Sequence, residues 1–423
     1  MRRFFALSFA ISGMSAVMLA ATFLAQARGL SRVGVWWTPQ EVSQSGVAAS
    51  RGPRLVADSS GYLHLLWMDD TLGQPDLYYV KSGDQGNTWS DAEHIPTSLD
   101  SYQGSVAVGT NQTIHACWWD GTPPYPPYEL FYAQRTSSGW TIDEPSVVVT
   151  NSQIQEPLVA EASNAIHVVW SNWLQAAPDL YYSRRPVSGG EWLTATVIAD
   201  TDPNSQHARM AIDKDGNLHL VWQENTSPNE IMYISGTVGT AQTTWSSPVT
   251  VSADLSLRAT SPDIVAGDGV VHIVFGVDVA DQQRTQDVYY ASFPISNTDS
   301  ISPTVIQGSR VAISQQLPTL ASPSIALDGQ NNVHVVWNGM KGTEDVWDRI
   351  YYAMSENQGV SWSPPIAISP DDAWPDWFPS IATDGVLAHV AWQQGVPLGD
   401  NDVYYAHSLP INRYFALALK DYQ

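Results

Sequence analysis

The fold is decided by residues 64–79, which begin His64-Leu65-Leu66-Trp67 and end on the aromatic pair Tyr78-Tyr79. A unit of this kind, His followed by two apolar residues (one of them Cys in one copy) and then an aromatic residue, recurs at intervals of 51 to 62 residues. Such self-similarity indicates a repeat architecture. The seven copies are His64…Trp67, His115…Trp118, His167…Trp170, His219…Trp222, His272…Phe275, His334…Trp337 and His389…Trp392. The aromatic pairs or their remnants are Tyr78-Tyr79, Phe131-Tyr132, Tyr181-Tyr182, Met232-Tyr233, Tyr289-Tyr290, Tyr351-Tyr352 and Tyr404-Tyr405.

Four short extended segments, A to D, can be assigned within each copy. Strand A is an apolar run such as residues 53–57, strand B carries the His unit, and strand C carries the aromatic pair. Strand D begins with Trp in five copies, at Trp89, Trp140, Trp192, Trp245 and Trp362. β-branched and aromatic residues between Gly- and Asp-rich turns are typical of strands, and four strands per repeat are typical of a β-propeller blade.

The two ends of the chain complete one another. The last copy stops after strand C at residues 404–407, and residues 37–42, starting at Trp37, match the missing strand D. A strand from the start of the chain that completes the last blade would close the ring and leave no sheet edge. We therefore predict an all-β, seven-bladed β-propeller over residues 28–408, followed by a short tail at 409–423.

Composition excludes several classes of partner. The 423 residues carry 42 acidic and 19 basic side chains, a net charge of −23. Binding to nucleic acid or to an anionic membrane surface needs clustered Lys and Arg, so neither is expected. The one cysteine, Cys117, cannot form an internal disulfide, and we expect an inert buried thiol. We predict no cofactor.

The first 27 residues resemble an export signal. Arg2 and Arg3 precede an apolar run over residues 4–25, which ends in the small-x-small sequence Ala25-Gln26-Ala27. This pattern predicts a cleaved secretory signal and a secreted or cell-surface protein, with an uncleaved membrane anchor as the alternative. After cleavage no membrane span is expected, and the tail is either an added strand or a loose surface segment. We expect a monomer.

Residues 82–89, Ser-Gly-Asp-Gln-Gly-Asn-Thr-Trp, fit the Asp-box S-x-D-x-G-x-T-W, and residues 355–362 form a second, less regular copy. Residues 36–407 therefore resemble the sialidase-like superfamily of BNR (Asp-box) repeat propellers. Sialidases bind the substrate carboxylate with an arginine triad and use a Tyr–Glu pair and an Asp, so the resemblance suggests Arg54, Arg209 and Arg258 as the triad and Asp69 and Asp70 as acids. The chain departs from the family: the F-R-I-P motif and a Tyr–Glu pair are missing, and sialidases have six blades.

The seven strand-B histidines could suggest metal binding. Equivalent positions on different blades are spread around a ring, however, and cannot converge on one ion. The sequence favours a buried His in each blade, bonded to neighbouring backbone, and predicts no metal site. Turns such as residues 213–217 could hold calcium, but a plain hairpin turn is favoured over that.

Twelve of the 18 tryptophans belong to strands B and D, with Trp37 counted among them and Trp36 left outside the repeat. Five of the remaining six map to the loops between strands B and C and between blades, which share one face. Aromatic rings beside carboxylates suit sugars, although the same rings could simply pack the loops together. The predicted ligand-binding residues are Trp119, Asp120, Tyr125, Tyr128, Trp173, Trp347, Trp374 and Trp377.

Three functions remain open. The leading hypothesis is a non-catalytic module that binds a glycan or a cell-surface protein through the B–C/D–A loop face. The alternative is a sialidase-like glycoside hydrolase or a polysaccharide lyase acting on acidic glycans, in which Arg54, Arg209, Arg258, Asp69 and Asp70 are the catalytic candidates. The third is a scaffold within a cell-surface assembly.

Overall fold

Short extended segments separated by tight turns pair as antiparallel hairpins, because the turns reverse the chain within a few residues. The computed structural model describes residues 35–44, 46, 48–96, 100–121, 128–147, 154–172, 179–199, 204–253, 255–279, 285–296, 298, 301–307, 309, 311–312, 321–340, 347–372, 374–395 and 401–409. Within these ranges the regular structure is β-strand, apart from a 3-10 turn at Thr110–Gln112. None of the helical segments in them is long and apolar enough to cross a membrane.

The strands form seven antiparallel sheets, and each sheet is one blade, in which the first-named strand is the innermost. Blade 1 contains β2 (Ser50–Ala57), β3 (Leu63–Asp69), β4 (Asp76–Ser82) and β5 (Glu93–Ile95). Blade 2 contains β6 (Ser101–Val108), β7 (Ile114–Asp120), β8 (Glu129–Thr136) and β9 (Gly139–Val147). Blade 3 contains β10 (Ile154–Ala162), β11 (Ala165–Asn172), β12 (Asp179–Pro186) and β13 (Thr196–Ala199).

The fourth and fifth blades have an outer strand in two pieces. Blade 4 contains β14 (Ser205–Ile212), β15 (Leu218–Glu224), β16 (Glu230–Val238), β17 (Thr243–Trp245) and β18 (Val249–Thr250). Blade 5 contains β19 (Ala259–Gly267), β20 (Val270–Asp278), β21 (Thr285–Pro294), β22 (Thr304–Val305) and β23 (Val311–Ala312). Blade 6 contains β24 (Ser324–Leu327), β25 (Val333–Gly339), β26 (Arg349–Ser355) and β27 (Ile366–Ala367). Blade 7 contains β28 (Asp376–Thr383), β29 (Ala388–Gly395), β30 (Asn401–His407) and β1 (Gln40–Glu41).

The prediction of a seven-bladed propeller is confirmed, including the closure by the start of the chain. Strand β1 pairs with β30, with Gln40 opposite Tyr405, and an isolated bridge joins Trp36 to Ser408. The innermost strands of successive blades contact one another around a complete ring. Seven apolar clusters fill the spaces between neighbouring blades. Each blade is therefore stabilised by its two neighbours.

The strand-B histidines hold the blades internally, as expected, but their main partner differs from the prediction. In every blade the His Nδ1 lies 2.6–2.8 Å from the hydroxyl of a strand-C tyrosine rather than from backbone. His and Tyr lie on the same side of paired strands, so the two side chains meet diagonally across them. In blade 1 the pair is His64 and Tyr79, with the His Nε2 3.5 Å from Asp58 of the A–B turn.

Each of these tyrosines also receives an aromatic ring from the next blade, in edge-on contact at 4.9–5.5 Å. For the last interface this ring is Trp36, which packs on Tyr352. The assignment of Trp37 to that position was wrong by one residue: Trp37 is 48% exposed and stacks on His407. A one-residue shift along a strand moves a side chain to the opposite face, which explains the error. Blade 5, which has no strand-D Trp, supplies Phe293 instead.

Candidate functional site at the channel mouth

Six of the seven innermost strands carry a β-bulge close to their first residue, and these bulges shape the central channel. The register slips by one residue in β2, β6, β10, β14, β19 and β28, whereas β24 pairs without a slip. The residue at each slip has a left-handed backbone, with φ between 50° and 59°. We call these six the bulge residues: Gly52, Gln103, Glu156, His207, Ser261 and Phe378. Bulges often redirect side chains at functional sites.

The bulges lie at the B–C/D–A end of the channel, because each innermost strand starts beside the end of its strand B. Ser50 is opposite Asp69 in blade 1 and Ser205 is opposite Glu224 in blade 4. We call this end of the channel the channel mouth. It lies on the B–C/D–A face, to which the sequence assigns five of the tryptophans outside the repeat.

Side chains at the channel mouth connect one blade to the next. Gln103 Oε1 accepts a hydrogen bond from the Glu156 amide (2.9 Å), and Glu156 Oε2 accepts one from the His207 amide (2.6 Å). Further along the strands, Ser380 Oγ, two residues after Phe378, accepts from the Leu55 amide at 3.0 Å. These bonds satisfy amides that the bulges remove from the ladders, and they fix the bulge side chains in place.

Arg54 and Arg209 each lie two residues after a bulge residue, in blades 1 and 4. Burial, followed by the positive charge of Arg209, lowers the pKa of Arg54 to about 10, against the attraction of Asp263 and Glu156. Each guanidinium donates to a carbonyl of its own strand, from Arg54 to Pro53 (3.2 Å) and from Arg209 to Ala208 (2.8 Å). Neither forms an ion pair with any carboxylate in the described ranges. Two recessed guanidinium groups thus lie at the channel mouth, and the described residues use few of their N–H donors.

Glu156 and His207 contact each other through Oε1 and Nδ1, next to Arg54 and Arg209. His207 Nδ1 lies 2.6 Å from Glu156 Oε1, and the His207 side chain is 40% exposed while that of Glu156 is 17% exposed. Burial alone would raise the pKa of Glu156, but the charge and hydrogen bonds of His207, together with Arg209, lower it to about 2. Among the described residues, nothing hydrogen-bonds to His207 Nε2. Glu156 therefore orients an imidazole whose second nitrogen faces solvent.

Asp263 is a second carboxylate close enough to Arg209 to feel its charge, and its hydrogen bonds connect two blades. Its Oδ2 accepts from Ser324 Oγ (2.9 Å) and from the Ile325 amide (3.0 Å), which ties blade 5 to blade 6. Burial raises the pKa of Asp263, partly offset by Arg209 and by these hydrogen bonds. The charged cluster of the channel mouth thus consists of Arg54, Glu156, His207, Arg209 and Asp263.

The structure separates the five catalytic candidates. The charge of Arg209 acts on Arg54 at the channel mouth, whereas Arg258 pairs with Asp278 on blade 5 at 2.9 Å. Asp70 accepts from the Ala49 amide and lies 3.4 Å from Arg51 at the rim of blade 1. Of the three predicted arginines, Arg258 is thus already paired with an acid, and the triad stays a prediction.

Asp69 is almost fully buried and lies at the channel-mouth end of its blade. It accepts hydrogen bonds from Trp67 Nε1 (3.2 Å) and Ser50 Oγ (2.6 Å). Glu224 holds Trp222 and Ser205 in the same way in blade 4. Asp120 has the equivalent position in blade 2, opposite Ser101, and is 1% exposed. Asp69 and Asp120 thus occupy a repeated structural position below the surface.

Trp119 lies at the end of strand β7 rather than in the following loop. Its ring is stacked on Tyr102 at 4.4 Å and lies 4.7 Å from Tyr128, and its Nε1 donates to Gln103 at 2.8 Å. Trp119 and Tyr128 are 7% and 8% exposed. These contacts account for both rings as packing that supports the Gln103 bulge; a direct contact with ligand remains a prediction.

The other predicted aromatic residues differ in exposure. Trp377 is part of β28 and is buried, with its Nε1 donating to Asp348 at 3.1 Å. Trp347 is half-buried, and Trp374, in the loop before β28, is 36% exposed. Tyr125 and Trp173 lie outside the described residues, as do the predicted signal over residues 1–27 and nearly all of the tail. For these residues the sequence prediction stands alone.

Sequence reasoning missed Glu156, His207 and Phe378. A signal was present, because the residue after each bulge residue is Pro, Gly or Ala, at Pro53, Gly104, Pro157, Ala208, Pro262 and Pro379. When the innermost strands are aligned on this Pro, Gly or Ala, the six bulge residues occupy one equivalent position. This position cannot be recognised from hydrophobic alternation alone, because a bulge breaks the two-residue period.

Comparisons with known proteins identify the fold and no family. No family model matches the sequence, and no curated protein matches it. Among solved structures, a PL25 polysaccharide lyase, an ulvan lyase, superposes with a TM-score of 0.58 at 10% identity, covering 86% of this chain and 95% of that one. The phage phi92 endosialidase gives 0.53 at 10% identity, covering 89% and 69%. The α-L-arabinofuranosidase of Fusarium graminearum gives 0.51 at 13% identity, covering 88% and 98%. The chain therefore shares the propeller fold of sialidase-like and polysaccharide lyase enzymes.

Proposed function

We propose that this protein recognises an acidic polysaccharide at the channel mouth, where Arg54 and Arg209 bind a carboxylate of the glycan. The observation that carries the proposal is that the charge of Arg209 acts on the recessed Arg54, while neither guanidinium forms an ion pair with a carboxylate in the described ranges. Like charges held close together in a channel repel each other, and an anion placed between them removes that repulsion. Arginine also presents a planar fork that matches both oxygens of a carboxylate.

The fold and the predicted export signal agree with a carboxylate-bearing sugar polymer, whereas the net charge of the protein opposes one. The net charge of −23 disfavours loose attraction of polyanions, so that binding depends on the local geometry of the channel mouth. Structures with this fold include a lyase, an endosialidase and an arabinofuranosidase, all of which act on glycans. The export signal predicted over residues 1–27 would deliver the protein to the outside of the cytoplasm, where such polymers occur.

Calorimetric titration of the mature protein with a glucuronate-containing tetrasaccharide and a neutral tetrasaccharide tests the proposal. Arg54→Ala and Arg209→Ala should each weaken binding of the acidic probe by about 10- to 100-fold, the effect of losing a charged hydrogen bond. Arg258→Ala is the matched control, because this arginine lies on the same face but is already paired with Asp278. Equal binding of both probes, or equal affinity of all three variants, would contradict the proposal.

A second candidate function is catalysis at the same place by β-elimination, as in a polysaccharide lyase. The specific observation in its favour is His207, held by Glu156 with its second nitrogen toward solvent, beside the two arginines. In this reaction His207 Nε2 would take the C5 proton of a uronate whose carboxylate is neutralised by Arg54 and Arg209. The electron pair forms the C4–C5 double bond, the C4–O4 bond breaks, and the departing O4 takes up a proton from solvent.

The two candidate functions are separated by following the ultraviolet absorbance of the unsaturated uronate during incubation with acidic polysaccharides. Lyase activity predicts a rise that His207→Gln abolishes while binding of the tetrasaccharide persists. New reducing ends without absorbance would indicate hydrolysis instead. If neither signal grows while binding is retained, the protein is a binding module.

A further inference from the structure

Phe378 differs from the other bulge residues. The remaining five are Gly, Gln, Glu, His and Ser, whereas Phe378 is large and apolar and has φ 50°. A bulky side chain is rarely found in this left-handed region, because Cβ crowds the backbone. Strain of this kind tends to persist where the side chain has a use.

Phe378 is exposed on an innermost strand whose two faces are covered. Strand β28 is buried along most of its length, and Phe378, at 40% exposure, is its one exposed residue. Both faces of the strand are covered by neighbouring blades, since Ser380 bonds to Leu55 of blade 1 and Ser324 of blade 6 bonds to Ile381. For a residue of an innermost strand, the remaining open side is the channel and its mouth.

Open space lies at the bulge of blade 1, two residues before Arg54. The neighbouring bulge residue in blade 1 is Gly52, and a Cβ added there would meet nothing within 4 Å. Leu55, the residue after Arg54, is hydrogen-bonded to Ser380, two residues after Phe378. Two residues of extended chain span about 7 Å, so Arg54 and Phe378 are within reach of adjacent units of one oligosaccharide.

We infer that Phe378 is a stacking platform for the sugar unit next to the acidic one, so that the site reads at least two consecutive units of an acidic glycan. The inference rests on the proposed function and adds a specificity-determining residue to it. The C–H face of a pyranose packs against an aromatic ring, whereas Arg54 and Arg209 hold the neighbouring carboxylate.

The test compares glucuronate itself with a glucuronate-containing tetrasaccharide, using calorimetry on the full mature protein. Phe378→Gly removes the ring at a backbone position that glycine adopts without strain, so the variant should melt no lower than wild type. It should weaken tetrasaccharide binding about fivefold to tenfold and leave glucuronate binding unchanged. Phe378→Tyr should retain wild-type affinity for both probes. Val386→Ala, an exposed apolar position in the β28–β29 turn at the opposite end of the channel, is the control.

The outcomes separate the platform from the proposed function. Glucuronate binding that depends on Arg54, together with tetrasaccharide binding unaffected by Phe378→Gly, would overturn the platform and leave the function in place. An equal loss for both probes in Phe378→Gly would also overturn it, because the ring would then act on the carboxylate subsite. No binding of either probe by wild type would overturn both.

Discussion

Replacing Glu156 with glutamine should reduce the fall in the free energy of unfolding at acidic pH. In the folded protein, His207 and Arg209 outweigh the effect of burial and hold the pKa of Glu156 at about 2, against an ordinary value of 4.5. A carboxyl whose pKa is lower in the folded state stabilises the fold above its unfolded pKa. That contribution is lost as the pH falls from about 4.5 to about 2.

The difference between these pKa values corresponds to about 3 kcal/mol of unfolding free energy, at 1.36 kcal/mol for each pKa unit. The His207 side chain is 40% exposed, so water screens the pair and about 2 kcal/mol is a more realistic size. Urea unfolding at pH 7, 5, 4 and 3 gives the free energy of unfolding of wild type and Glu156→Gln under matched conditions. The advantage of wild type should shrink by most of this amount toward pH 3.

Other carboxyls titrate in the same range, among them Asp328 and Asp384, each with a pKa of about 2. The difference between wild type and Glu156→Gln isolates the one group, because these carboxyls are common to both proteins. Glu156→Asp keeps the charge and should keep the acid dependence. A wild-type advantage that is the same at pH 7 and pH 3 would refute the pairing of Glu156 with His207.

Three further predictions concern packing and the buried histidines. Trp119→Ala should lower the free energy of unfolding by about 3–5 kcal/mol in urea, as for a buried tryptophan; a small loss combined with lost glycan binding would instead make Trp119 a ligand contact. Trp36→Ala should lower the free energy of unfolding by about 3 kcal/mol, and Trp37→Ala should lower it by less than about 1 kcal/mol. The reverse order would restore Trp37 as the first residue of the last strand D. Burial lowers the pKa of His272 to about 4, so wild type loses stability as the pH falls from 6.5 toward 4. His272→Gln should remove about 3 kcal/mol of this pH dependence of the unfolding free energy, and an unchanged pH dependence would contradict the prediction.

The fold could be predicted from the sequence because each blade repeats its own packing. His, Tyr and Trp occupy fixed places in every copy, so seven imperfect copies still reveal one pattern. The detail that failed, Trp36 against Trp37, depends on strand phase at the chain start. There, the described residues include no hairpin before β1 that would fix the register.

The site could be predicted only in part, for two physical reasons. Resemblance points to arginines in strand A and so suggests Arg54 and Arg209, whose role in binding stays a prediction. Nothing in the sequence distinguishes them from Arg258, whose partner Asp278 is 20 residues away. Glu156 and His207 escape detection because a bulge hides them from the two-residue alternation. Loop assignments fail at strand ends, and so the prediction of Trp119 in a loop is wrong, because β7 extends beyond it.

The central claim is that a carboxylate of an acidic glycan binds between Arg54 and Arg209. A crystal structure of residues 28–423 soaked with a glucuronate-containing tetrasaccharide tests this most directly. The account predicts a carboxylate within hydrogen-bond distance of both guanidinium groups, with the next sugar unit over Phe378. A tetrasaccharide bound on the outer rim of the blades, with the channel mouth holding only water, would contradict it.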